Sequence, residues 1–169
     1  MTKLKSDRVQ LKSIKLHTSL SEETPAYTAK IYVDGKFFSN VSNRGHGGPD
    51  EYDWEVGHKE LTEVNDMIAE AYGNAGGYED KDGEVKYFAY DLEIVCHELA
   101  WRSVDVRNFA SQLSRKSMIL TEDGSVFEWK CKISHPKIRG VIADKYPTAT
   151  ILNDMKAADA FDLVAAAQA

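Results

Sequence analysis

The chain has 169 residues and a formal charge of −6, from 21 lysines and arginines against 27 aspartates and glutamates. This length favours a single domain, residues 1–169, and the composition excludes a disordered tail, a collagen and a pure coiled coil. No apolar run approaches the ~20 residues that a membrane span needs, and the first residues lack the apolar core of a signal peptide. We therefore expect a cytoplasmic protein without a membrane partner, in which Cys96 and Cys131 remain thiols.

The first elements in chain order are strands. Residues 8–17 alternate imperfectly between apolar and polar side chains, and the shift between Leu11 and Ile14 indicates a bulge. Tyr27–Val33 and Lys36–Ser42 also have strand patterns, and they flank Asp34-Gly35, a dipeptide typical of tight hairpin turns. The sequence therefore predicts a three-strand meander at the N-terminal end.

The middle of the chain changes to helical periodicity. Residues 43–50 form a loop, because glycine and proline dominate it. From His58 to Tyr72 the apolar side chains share one arc of a helix, and Gly73 ends that helix. Residues 74–83 read as a flexible acidic loop, and residues between Gly83 and Gly124 as one long helix, or two with a break at Ser103.

The last third predicts a second hairpin and two helices. Met118–Leu120 and Val126–Cys131 flank a turn, Pro136 opens a short helix to Tyr146, and Thr148–Leu152 is prone to extended structure. The final helix spans Met155–Ala167, with Asn153 or Asp154 as its cap. This order favours an α+β fold, in which an antiparallel sheet, built from the meander and the later hairpin, packs against two or three helices.

Charge is concentrated in one part of the chain. Residues 50–98 hold fifteen acidic residues and three lysines, a charge of −12, and the helical pattern places several of the acids on one face. Tyrosines and a tryptophan are interleaved with these acids, as in a surface that binds a basic protein, although a solvated helix face would have the same charge pattern. The candidate partner-binding residues are Asp50, Glu51, Asp53, Trp54, Glu60, Glu63, Asp66 and Glu70. An acidic surface repels phosphate, so no direct nucleic-acid contact is expected.

The glycine-rich loop offers an alternative function. Glycines let backbone N–H groups approach an anion, Arg44 supplies a positive charge and His46 an acid or base. A small-ligand or nucleotide-binding protein, or an enzyme, would then use the loop Arg44–Asp53. The candidate ligand residues are Arg44, Gly45, His46, Gly47, Gly48 and Asp50. The loop matches no established phosphate motif, and a purely structural loop with glycines at positive φ explains the same residues.

The sequence does not favour a metal or cofactor. Cys96, His97, Cys131 and His135 include one acceptable zinc spacing, but the adjacent Cys96 and His97 diverge by about 100° on a helix and cannot readily share an ion. We therefore expect no metal site, no cofactor and no catalytic residue. This favours binding over enzymatic activity.

Two stretches resemble small uncharacterised proteins of bacteriophages and other mobile elements. They are Val41-Ser42-Asn43-Arg44-Gly45-His46-Gly47-Gly48 and Tyr146-Pro147-x-Ala149-x-Ile151-Leu152-Asn153. The resemblance implies a phage setting, in which small acidic proteins are often inhibitors of host proteins, including defence nucleases, some by imitating the charge of DNA. We therefore expect a non-enzymatic inhibitor in the host cytoplasm that binds a basic surface of a host protein. Self-association into a homo-oligomer is a further possibility.

Overall fold

The computed structural model describes residues 8–53 and 57–168. The chain divides into two compact units, residues 2–103 and residues 104–169. The unit boundary falls within one continuous helix, and the prediction of a single domain stays a prediction. The described chain combines four helices with three antiparallel sheets, which confirms the α+β class.

The N-terminal unit begins with the predicted meander. Strands β1 (Val9–Leu16), β2 (Tyr27–Val33), β3 (Lys36–Asn43) and β4 (Glu51–Tyr52) form one antiparallel sheet in that order, so β4 adds a fourth strand to the three predicted. Asp34 and Gly35 have φ values of 48° and 77°, as the tight turn of a two-residue hairpin requires. The pairing of β1 with β2 shifts between Lys12 and Lys15, which confirms the bulge.

Helix α1 (His58–Tyr72) has the predicted bounds. Its residue Ile68 is fully buried, and Leu61 and Val64 pack against the same core as the sheet. Gly73 ends the helix at φ 77° and donates its backbone N–H to the carbonyl of Ala69. The apolar arc of α1 therefore faces the core, as the pattern predicted.

The segment after α1 differs from the prediction. Residues 74–83 are not a flexible loop and helix does not begin at Gly83, because β5 (Asn74–Glu79) and β6 (Val85–Ala89) form a two-stranded antiparallel ribbon. Gly83, at φ 79°, completes the turn, where the N–H of Asp80 donates to the carbonyl of Glu84. We call this pair of strands the ribbon.

Helix α2 (Leu92–Leu113) is continuous for 22 residues. Ser103 does not break it, because the hydroxyl donates to the carbonyl of Leu99 inside the helix. The carboxylate of Asp91 accepts the N–H of Ile94 and so caps the helix start. One of the two alternatives, a single long helix, is therefore correct, but it begins at Leu92.

The C-terminal unit contains the second predicted hairpin. Strands β7 (Ser117–Leu120), β8 (Val126–Trp129) and β9 (Thr150–Ile151) form an antiparallel sheet in the order β8-β7-β9, beside helices α3 (Ile138–Lys145) and α4 (Ala157–Ala167). Asn153 does not cap α4, because its side chain bonds the N–H of Met118 and the carbonyls of Leu113 and Lys116 instead. Within the described ranges, no helix is long and apolar enough to cross a membrane.

Candidate protein-binding surface

Helix α1 presents its acidic side chains to solvent. Because residues three and four apart share a helical face, the same amphipathic pattern that buries Ile68 exposes the acids on the opposite side. The exposed acids of α1 are Glu60, Glu63, Asp66 and Glu70. Lys59 lies 3.8 Å from Glu63, a long and solvent-exposed pair that neutralises little of this charge.

A shallow groove of about 320 Å³ lies between α1 and the hairpin of β2 and β3. We call it the acidic groove, since its floor is apolar and its rim carries carboxylates. Its lining residues are Val33, Asp34, Phe38, Glu60, Glu63, Val64 and Met67. Two of the predicted partner-binding residues, Glu60 and Glu63, are therefore on this rim.

The third carboxylate of the rim is already paired. Asp34 accepts two hydrogen bonds of 2.7 Å from the guanidinium of Arg8, and these bonds lower the pKa of the Asp34 carboxyl. The carboxylate of Glu60 occupies the space that a side chain at Gly57 would need, at the start of the helix. Of the three rim carboxylates, Asp34 is therefore the one with a close hydrogen-bonded ion pair.

The other predicted partner-binding residues lie around β3 and β4. Asp50 is only 7% exposed, so it is an interior residue rather than part of a surface. Glu51 is exposed and lies 3.2 Å from the guanidinium of Arg44, and Asp53 accepts the backbone and side-chain N–H groups of Asn40. Trp54 lies outside the described residues.

Asp50 is held by hydrogen bonds from two neighbouring strands. Its carboxylate accepts the hydroxyl of Tyr27 at 2.6 Å and the side-chain amide of Asn43 at 3.0 Å. Burial, and then the bond to Asp50, raise the pKa of the Tyr27 hydroxyl. Burial also raises the pKa of the Cys96 thiol, with nearby acids including Asp50 and Glu93 adding to the effect. Cys96 is therefore a protonated core residue at neutral pH and not a nucleophile.

The glycine-rich loop is tied into the N-terminal unit by its own backbone. The N–H of Gly45 donates to the side-chain carbonyl of Asn43, and the N–H of Gly47 donates to the hydroxyl of Thr24. His46 lies 3.1 Å from the carboxylate of Glu22. Two of the N–H groups that would bind an anion are thus occupied, which favours the structural interpretation, and the ligand-binding alternative stays a prediction.

The ribbon exposes aromatic side chains that were not predicted from the sequence. Tyr78 and Tyr87 are exposed with Val85 and Phe88, whereas Tyr90, which follows the ribbon, is buried. The alternation of Val85 and Tyr87 after Asp82-Gly83 is a hairpin signal that could have revealed it. The acids beside these aromatics, among them Glu79 and Glu84, belong to the acidic segment that the sequence predicted.

No group of three histidine, cysteine, aspartate or glutamate side chains is placed to hold a metal ion in the described part of the chain. Comparison of the chain with protein-family models, with curated proteins and with solved structures finds no match.

Proposed function

We propose that this protein is a non-enzymatic binding protein whose acidic groove and α1 face take a basic surface of another protein. The observation that carries the proposal is the placement of Glu60 and Glu63 at the rim of an apolar floor that includes Val64 and Met67. In the phage setting that the resemblance implies, the partner is a host protein, and binding inhibits it.

The chemistry of the groove fits lysine and arginine side chains. Both have an aliphatic stem that packs on apolar surface and a charged end that stays near water and carboxylates. The stem would lie on Phe38 and Met67, and the charged end would meet Glu60 or Glu63. The remaining acids of α1 would raise the association rate by attracting a positively charged partner, and salt would screen this attraction.

The experiment has two stages. The tagged protein first captures host proteins for identification by mass spectrometry, and calorimetry then measures binding of the purified partner at low and moderate salt. Reversing the rim charges in Glu60→Lys with Glu63→Lys should weaken binding at least about tenfold at low salt and flatten its salt dependence.

The matched control reverses two exposed acids of the C-terminal unit, Glu122→Lys with Asp144→Lys. This variant has the same net charge as the groove variant, so it should keep nearly all of the affinity if the groove is the binding site. Equal loss in both variants would show that net charge alone attracts the partner. Unchanged binding of the groove variant would show that the partner binds elsewhere.

A further inference from the structure

The ribbon carries an unusual share of exposed apolar surface. It holds four of the ten large hydrophobic side chains that are exposed in the described ranges, namely Tyr78 (58%), Val85 (57%), Tyr87 (67%) and Phe88 (47%). Cross-strand register places Val85 and Tyr87 on one face, and Tyr78 and Phe88 on the other. Each face of the ribbon therefore exposes large apolar side chains to solvent.

The hydrogen bonds of the turn show which edge of the ribbon is open. The N–H of Asp80 donates to the carbonyl of Glu84, so the next pair along the strands, Glu79 with Val85, is a non-hydrogen-bonded pair. Because hydrogen-bonded and non-hydrogen-bonded pairs alternate along an antiparallel ladder, Tyr87 and Gly77 also form a non-hydrogen-bonded pair. The N–H and C=O groups of Val85 and Tyr87 consequently point away from β5, along the edge of β6 that pairs with no other strand in the described part of the chain.

The two edges of the ribbon are not equally protected. The register of β5 shifts between Asn74 and Gly76, and such a bulge discourages pairing with another strand. β6 contains no proline and its register with β5 shifts only at its last residue. Its one charged side chain, Lys86, is held at 3.3 Å by Asp80 and at 3.2 Å by Glu84 on its own ribbon. β6 is thus the edge that lacks the usual barriers to strand addition.

We propose that β6 pairs antiparallel with β6 of a second copy of this chain, about a two-fold axis at Tyr87. This register faces Tyr87 with its copy and Val85 with the copy's Ala89, so the outward N–H and C=O groups of both strands meet. The inference does not depend on the proposed function, since it concerns a different surface and no other protein.

Charge placement favours a second copy of the chain as the partner of β6. In this register Lys86 faces Phe88 of the copy, so no like charges are directly opposite. The acidic turn residues Asp80, Asp82 and Glu84 of the two ribbons lie at opposite ends of the resulting four-stranded sheet. A parallel arrangement would instead bring the two acidic turns together, and repulsion would disfavour it.

Sedimentation or light scattering tests the proposal over concentrations from about 5 µM to about 500 µM, because a dimer responds to mass action. The unmodified protein should change from monomer to dimer within this range. Tyr87→Pro removes an N–H that the ribbon itself does not use, so the hydrogen bonds of the ribbon remain and the dimer dissociation constant should rise at least about tenfold, with circular dichroism of the monomer confirming that the fold is kept. Tyr87→Lys, which places two positive charges opposite each other, should do the same and serves if the proline variant fails to fold.

The matched control is Phe37→Ser, which removes an exposed aromatic from a different hairpin and should leave the dimer unchanged. A protein that stays monomeric throughout the range overturns the proposal. A dimer that neither Tyr87 variant weakens overturns it equally.

Cross-linking tests the register. In a Cys131→Ser background, cysteines from Tyr87→Cys on the two copies would have Cα atoms about 5.5 Å apart, within the range of a disulfide. Cysteines from Lys81→Cys would be about 30 Å apart at the two turns. Rapid oxidation of the first variant and slow oxidation of the second are expected. Equal rates, or faster oxidation of Lys81→Cys, would exclude this pairing.

Discussion

Asn43 joins the glycine-rich loop to the sheet, and its replacement by alanine is the sharpest test of that arrangement. Its side chain is buried at the end of β3 and takes part in four hydrogen bonds. The amide donates to the carbonyl of Gly48 and to the carboxylate of Asp50, both at 3.0 Å. The side-chain carbonyl accepts the hydroxyl of Thr24 and the N–H of Gly45, both at 2.8 Å.

The expected loss follows from these bonds. A net contribution of about 1 kcal/mol is typical of a bond between neutral groups, and about 2 kcal/mol of a bond to a carboxylate. Asn43→Ala leaves the buried carboxylate of Asp50 with Tyr27 as its one remaining side-chain donor among the described contacts. With water replacing part of the lost bonds, the free energy of unfolding should fall by about 4 kcal/mol.

Urea denaturation followed by circular dichroism measures this loss. Asn40→Ala is the matched control, because Asn40 is exposed and its side chain donates a hydrogen bond to Asp53 at a surface where water can replace it. The control should lose no more than about 1 kcal/mol. If the two variants lose the same stability, the network around Asn43 does not hold the loop, and the assignment of a structural role to its glycines is wrong.

Three further results are expected. Gly45→Ala should cost at least about 2 kcal/mol of unfolding free energy, because φ is 88° and a Cβ would meet the Leu20 carbonyl, whereas Gly48→Ala, in open space, should cost far less. In the native state a thiol reagent should leave Cys96 unmodified while the other, half-buried cysteine reacts, and both should react after unfolding. Arg139 lowers the pKa of the Asp154 carboxyl, so the stabilising effect of this ion pair is present above about pH 3.8 and is lost as the pH falls further. Asp154→Asn lacks the ion pair, so its free energy of unfolding should fall less than that of the unmodified protein between about pH 5 and about pH 2.

Local signals in the sequence predicted those elements whose conformation is determined locally. Asp34-Gly35 both adopt positive φ, and few residues other than Asp, Asn and Gly do so readily, so the turn could be placed to the residue. Helix α1 could be bounded in the same way, because its apolar arc has the 3.6-residue period and Gly73 ends it. These predictions needed no knowledge of distant contacts.

The ribbon could not be predicted with the same rules, because side chains of β6 offset the destabilising effect of the glycines in β5. Gly76 and Gly77 weaken a strand pattern, but the rings of Phe88 and Tyr87 occupy the space beside them. The apolar residues from Phe88 onward also continue the spacing of α2, so a short strand and a long helix competed for the same segment. Cross-strand packing decided in favour of the strand.

The exposure of an acidic side chain could likewise be predicted only where it depends on local structure and not on distant contacts. Glu60 and Glu63 are exposed because one helix determines their direction, and the helix was predictable. Asp50 has the same charge but is buried, because Tyr27 and Asn43 supply hydrogen bonds from two other strands. A carboxylate with such partners stabilises the fold instead of attracting a protein, so the net charge of a segment overstates the charge available for binding. The proposed interface should accordingly depend on the acids of α1 and be indifferent to Asp50, except through stability.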